Sequence, residues 1–511
     1  MSAKRLAVFR DGAAFLSLAA GSFIAVAAGD TAHLLHTETA APSMPMQVRP
    51  ATGDFPDVIV DPLRALPGRV DEAPALPGDA SALDCTAQPG LQSQTLGLSD
   101  VVDLTLCHNP QVQASWAAIK LQAALLGQSK AAWLPTANAT ISDLRSRTTY
   151  PATPALDSSS DGHTAYVGLT WRIFDFGARA ADQASATRLL DAALANQDAA
   201  LQKALGAAIQ AYFDAISSRA SMRSRGDATR YAQETLEATG RREANGVAAA
   251  GDTLQAKAAL AKAHLTEQRA IGDYQKAISV LLYACGLRPE SNVALVEEAD
   301  TVPASAVAEL ADWLSVTMAR HPAILAARAQ VDAAEAKVHS VRTQGLPSVD
   351  FTGNYYKNGY PNQGLQPTRS ATTTVGITLN IPLFEGFART YQVRAAQAQV
   401  DQSRAQLVDT QLQLASTVVK DHADAVAALN NLESSAQWLD ASKLAVESAR
   451  RRYDKGAADI LDLTSAESSL ADAKQERIRC LAEWRSARLR LFADSGNLGR
   501  SEIANEAHAP R

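Results

Sequence analysis

The chain says nearly the same thing twice, at a period of about 210 residues, and a duplication on that scale implies a pseudo-symmetric fold. Pro110 and Pro135 stand at the same interval as Pro322 and Pro347, and each pair closes on Leu-Pro, at Leu134-Pro135 and Leu346-Pro347. The segments Leu169–Phe174 and Leu379–Phe384 align without a gap, and the match resumes around Gly246 and Gly456. The nature of the repeated unit therefore decides what the chain becomes.

Each copy contains a long stretch fit for uninterrupted helix. No proline falls between Pro154 and Pro289 or between Pro382 and Pro510, and one interior proline would cost a helix about 3 kcal/mol. Between Gly386 and Gly456 there is no glycine either. Val393, Val400, Leu407 and Leu414 recur at every seventh position; after one four-residue step, Val418, Ala425, Leu432, Leu439 and Val446 do the same. This is a coiled-coil seam with a change of position midway. It predicts a helix over about 388–449, roughly 90 Å long at 1.5 Å per residue, which no compact domain accommodates. Its counterpart is expected over about 178–238. Turns at 240–252 and 450–462 lead into returning helices over about 252–286 and 459–493, and each copy opens with a helix, about 99–132 and 307–344.

Between the helices the period drops to two. Ala165, Val167, Leu169, Trp171 and Ile173 alternate with Tyr166, Gly168, Thr170 and Arg172; Val375, Ile377, Leu379, Ile381 and Leu383 alternate with Gly376, Thr378, Asn380 and Pro382. Such segments read as strands with one apolar face. Strands are expected at about 136–147 and 164–174 in the first copy and 348–357 and 372–384 in the second. Each has about the 9–11 residues that cross a bilayer at a tilt. Trp171, Phe174 and Phe384 lie at one end, where an aromatic girdle would sit. Four strands cannot close a barrel, yet open edges are forbidden in lipid. Three chains would supply twelve strands; the alternative is a small soluble sheet capping a coiled coil.

The N-terminus carries an address. Lys4, Arg5 and Arg10 precede an apolar stretch from Ala13 to Ala28 with the small-residue site Ala25-Val26-Ala27, which reads as a secretory signal over 1–27. An uncleaved anchor is the alternative, although the stretch is short for a span. Residues 28–84 hold prolines from Pro42 to Pro77 and read as an extended arm. An exported protein meets an oxidising compartment. Cys85 and Cys107, flanking the entry to the first copy, are thus expected to form a disulfide tying the arm down, with two buried thiols as the alternative. Cys285 and Cys480 are expected to be packed rather than paired. The copies themselves span about 85–290 and 291–495, followed by a tail over 496–511. A net charge of −6 gives no global attraction to nucleic acid.

Signal, doubled unit and the lack of a long apolar stretch after the signal together resemble the TolC family of outer-membrane channel-tunnels. The specific marks are Asn109-Pro110, Phe174-Asp175-Phe176-Gly177, Phe384-Glu385-Gly386, and Tyr453-x-x-Gly456 before Asp462-Leu463. The segment Leu104–Val112, with the arm, looks most like the branch serving type I export of proteins such as cyclolysin. The resemblance implies a mainly α fold with a β-barrel portion: a homotrimer with a twelve-stranded barrel in the outer membrane and a twelve-helix coiled-coil tunnel in the periplasm. It implies an inner-membrane ABC transporter and a periplasmic adaptor as partners, outer-membrane lipid around the barrel, and an exported RTX-type toxin as cargo. Small-molecule or multidrug efflux is the other function of this architecture.

The resemblance also points to the turns after the long helices. Asp462 matches one of two carboxylates of a periplasmic constriction, but the second position is Ser465 here; Asp252 matches an acid on the first turn. Capping the returning helices would account equally for both aspartates. Tyr453 matches a residue that helps lock the tip, with a packed interface tyrosine as the alternative, and Gly246 and Gly456 stand at the tip or helix interface; Ala458 stands where the family can carry a locking arginine. Arg450, Arg451 and Arg452 form the densest basic run, either a solvated face or an adaptor-docking patch. His108 and His321, just before proline turns, read as structural. No catalytic constellation, cofactor motif or metal-ligand spacing stands out, which is the pattern of a conduit rather than an enzyme.

Overall fold

A computed structural model of the chain describes residues 61–67, 85, 95–152, 157–246, 249–291, 293–296, 307–358 and 370–507. The signal segment and most of the arm lie outside these. The first copy runs β1 (Thr95–Leu96), α1 (Leu98–His108), α2 (Pro110–Ala131), β2 (Thr136–Thr148), β3 (Ser158–Phe174), α3 (Ala178–Ala244) and α4 (Ala250–Ala284). The second runs β4 (Ala294–Leu295), α5 (Leu310–Arg320), α6 (Pro322–Thr343), β5 (Ser348–Lys357), β6 (Ala371–Asn380), α7 (Ala388–Asp454) and α8 (Ile460–Asp494), with α9 (Arg500–Ala507) after it. Corresponding helices have equal lengths in the two copies, 11, 22, 67 and 35 residues.

The opening helix of each copy differs from expectation: it is two helices. Proline excludes the preceding residue from the helical region, and Asn109 and His321 accordingly have ψ of 122° and 127°. Both then cap the next helix. Asn109 Oδ1 accepts from the Gln111 amide at 2.8 Å, and His321 Nδ1 accepts from the Ala323 amide at 3.1 Å. Burial lowers the pKa of His321, which favours the neutral ring that this acceptor role needs. The long helices run past their expected ends to Ala244 and Asp454. β3 begins at Ser158, ahead of the expected 164, because backbone pairing with β2 continues where side-chain alternation has faded. β6 stops at Asn380 rather than 384, since Pro382 has no N–H to donate. The tail contains α9, held by Arg500 Nη1 2.7 Å from Asp103 Oδ1 and by buried Ile503.

The α3 helix packs on α2 and α6 along the half nearest the sheet and on α4 and α8 along the other; α7 packs on α6 and α8. Ser185 Oγ donates to Ala333 O in the first half, and Arg225 Nη1 lies 3.1 Å from Asp472 Oδ1 in the second. Where the two halves meet, Leu205, Ile209, Tyr212 and Phe213 of α3 pack with Leu281, Leu489 and Leu498. Along α7 the heptad seam lies inward: Val400, Val418, Ala425 and Leu432 are buried and the remaining seam positions half-buried. Among the described arm residues, Ala65 is buried against Ile119, Ala123 and Leu190, while Lys130 Nζ donates to the carbonyls of Leu63 and Arg64 at 3.1 and 2.9 Å.

Candidate functional site

Strands β2, β3, β5 and β6 form one antiparallel sheet in that order. Because side chains alternate across a strand, register decides which residues share a face. Tyr166 pairs with Tyr356, Thr170 with Thr352 and Arg172 with Asp350, so the polar sets of both copies fall on one side. Val167, Leu169 and Trp171 then share the other with Phe351, Ile377 and Leu379. That apolar side is bare: Val167 is 50% exposed and Ile377 71%. Among the described residues, strands β2 and β6 are each bonded on one side only.

Two knuckles connect sheet to long helix. In the first, Phe176 and Gly177 take positive φ of 52° and 88°; in the second, Gly386 and Phe387 take 60° and 63°. Arg179 braces the first knuckle. Its Nε donates to Asp175 Oδ2 at 2.8 Å, its Nη1 to Arg172 O at 2.7 Å, and its guanidinium lies 4.3 Å from the Trp133 ring centre. Arg389 repeats this with Glu385 and Val341 O, but more exposed. The aromatic residues expected to form a girdle sit here: Phe174 against Phe176, Phe384 against Phe387, and Trp171 donating from Nε1 to Trp133 O at 2.9 Å.

At the opposite ends lie the tips, with Gly246 and Gly456 at φ of 73° and 69° ending α3 and α7. This is the usual place for glycine after a helix. Asp252 and Asp462 occupy the same first-turn position of α4 and α8. Asp252 Oδ2 accepts from the Ala249 amide at 3.4 Å, so it caps its helix; Asp462 is exposed. Tyr453 is buried with Ala449, Ile460 and Leu463. Arg242 of the first tip reaches it, with its guanidinium 4.6 Å from the ring centre and Nη1 donating to Tyr453 O at 3.3 Å. Above the tips a groove of about 620 Å³ runs between all four helices, lined by Tyr231, Lys262, Arg450, Glu467 and Asp472 among others. Burial raises the pKa of Glu467, partly offset by Arg450.

Residues 101–287 and 313–497 match the model of a single family, described as outer membrane efflux protein. The chain belongs to that family. As an outer membrane efflux protein it resides in the outer membrane with a periplasmic extension, and it is a channel protein rather than an enzyme. It is similar to Protein CyaE of Bordetella pertussis, 32% identical over 415 residues, covering 81% of this chain and 87% of that protein. Alkaline protease secretion protein AprF of Pseudomonas aeruginosa is 26% identical over 419 residues, 78% and 84% of the two chains. The crystal structure of the outer membrane protein VceC from Vibrio cholerae shares the fold, with a TM-score of 0.66 over 78% of this chain and 96% of that one, at 23% identity.

In this efflux-family chain the three arginines are all exposed at the end of α7. Arg450 faces the groove, Arg451 Nη1 lies 3.8 Å from Glu447 Oε2, and the carbonyl of Arg452 accepts from the Ala457 amide. Cys85 and Cys107 are bonded to each other, and Cys285 and Cys480 are buried free thiols, the former pushed up to about 11 by burial. No group of His, Cys, Asp and Glu suited to a metal ion occurs among the described residues. Sequence reasoning missed Arg242. The repeat offered a signal for it, because Arg242 precedes Gly246 by the same interval as Arg452 precedes Gly456. Also missed was a carboxyl pair at the end of α8, where Asp494 hydrogen-bonds Asp421 and its pKa is raised to about 7 by burial and by that neighbour.

Proposed function

We propose that the chain is the outer-membrane channel-tunnel of a type I secretion system, passing an unfolded protein such as an RTX toxin. The observation carrying the channel is the four-stranded sheet with a bare apolar face and two unpaired edges. Lipid satisfies the first and forbids the second. Three chains joined β6 to β2 would close a twelve-stranded barrel, and their long helices, each about 100 Å at 1.5 Å per residue, would line a twelve-helix tunnel through the periplasm. An ABC transporter would drive export, with an adaptor seated in the groove beside Arg450. Likeness to a protease secretion protein favours protein cargo over small molecules.

At the tips, threefold symmetry would gather Asp252 and Asp462 into acidic rings, a feature that binds cations in pores. Arg242 over Tyr453 would hold the two tips of one chain together, a role open to it because Ala458 cannot. Deleting the gene and comparing culture supernatants by mass spectrometry tests the cargo. Loss of one large secreted protein with unchanged drug susceptibility is expected. Unchanged secretion with heightened susceptibility would support small-molecule efflux; the family's description names efflux without a cargo.

A further inference from the structure

The polar face of the sheet is almost free of charge. Along β2, β3, β5 and β6 it presents hydroxyls, amides and glycines, among them Thr136, Asn138, Gly168, Thr352, Asn354 and Thr378. Tyr166 leans over Gly168, where a methyl group would strike its hydroxyl, and that hydroxyl donates to Asn354 Oδ1 at 3.0 Å. Among the described strand residues, Arg172 and Asp350 alone are charged on this face. They stand opposite each other in register, Nε 2.9 Å from Oδ1. The other charged strand residues, such as Asp143, Arg145, Asp161 and Lys357, take the alternate positions at the end away from the helices.

We propose that Arg172 and Asp350 neutralise each other inside the barrel and make its lumen indifferent to cargo charge. This rests on the channel reading, in which the apolar face meets lipid and the polar face lines the pore. Three unpaired arginines or aspartates would form a charged ring, and such rings select ions. Three neutral pairs do not. The cargo class is then an extended polypeptide whose acidic and basic stretches pass alike. Arg172 joins a strand of the first copy to one of the second, so the pair also fixes the register between the two hairpins.

The test is reversal potential in a salt gradient across planar bilayers, for the full chain purified as its heat-resistant oligomer. Asp350→Asn should shift the permeability ratio toward anions and Arg172→Gln toward cations, each by about twofold or more. The double variant should return to the wild-type value. The swapped pair Arg172→Asp with Asp350→Arg should also match wild type, which guards against misfolding of a single variant. Oligoglutamate applied from the barrel side should block Asp350→Asn alone, and oligolysine should block Arg172→Gln more strongly than wild type. Conducting channels with the same selectivity in all variants would overturn the proposal. A wild type that inserts yet never conducts would instead overturn the channel reading beneath it.

Discussion

Gly286 closes α4 with φ of 71°, and a side chain there would collide with the carbonyl of His108 at the break between α1 and α2. Gly177 has φ of 88° but open space around it. The left-handed conformation alone costs a non-glycine residue about 1–2 kcal/mol, so Gly177→Ala should lower stability by about that much. Gly286→Ala adds a backbone clash and should cost more, read as loss of folded oligomer from the outer-membrane fraction; equal yields for the two would contradict this. Asp252 and Asp462 pose a different question, since a helix cap and a pore ring both use a carboxylate. With both changed to Ala, single-channel conductance should rise and cation block weaken; unchanged conductance would leave them as caps. The residue types at these sites were legible in the sequence. The contact of Arg242 with Tyr453 was not, because it joins residues far apart in the chain and a cation over a ring leaves no spacing pattern.

Among elements, the junction of α7 and α8 holds the clearest response to pH. Asp421 and Asp424 of α7 face Arg490 and Asp494 of α8, with Lys203 of α3 close by. Arg490 Nη2 lies 2.7 Å from Asp424 Oδ2, while its Nε stands 2.9 Å from Asp421 Oδ1 without hydrogen-bond alignment. The folded pKa of Asp494, about 7, lies above its ordinary 3.8, so the folded state binds the proton more tightly than the unfolded one. Its contribution is therefore present at low pH and lost as pH rises from about 4 through 7. Asp494→Asn keeps a donor without the charge. It should raise the thermal midpoint by roughly 2–4 °C at pH 8, by less at pH 5 and hardly at all below pH 4; a difference independent of pH would refute the assignment. Helix lengths and the α7 seam were readable because periodicity is a local record of burial. The breaks before Pro110 and Pro322 were readable in principle too, from the conformational limits on the residue before proline. The α9 helix was not, for its stability comes from packing on α1 rather than from its own pattern.

For the molecule as a whole, the two sides of the sheet make opposite demands. A lysine at Ile377 would face lipid at a cost of about 2–4 kcal/mol per chain near the bilayer midplane, whereas one at Thr378 would face the lumen. Ile377→Lys should therefore empty the outer-membrane fraction of heat-resistant oligomer while Thr378→Lys spares it. Loss in both, or in neither, would argue that the sheet is not a barrel wall. Sequence alone determined the duplication, the long helices and an apolar set on every other strand residue, because each is written in local periodicity and in where proline and glycine are absent. Tertiary structure decided the rest. Strand order and register put both polar sets on one side and set Arg172 against Asp350, and the packing of α3 on α8 brought one tip over the other. Pairing partners are chosen by backbone hydrogen bonds and packing between distant segments, and no window along the chain records that choice.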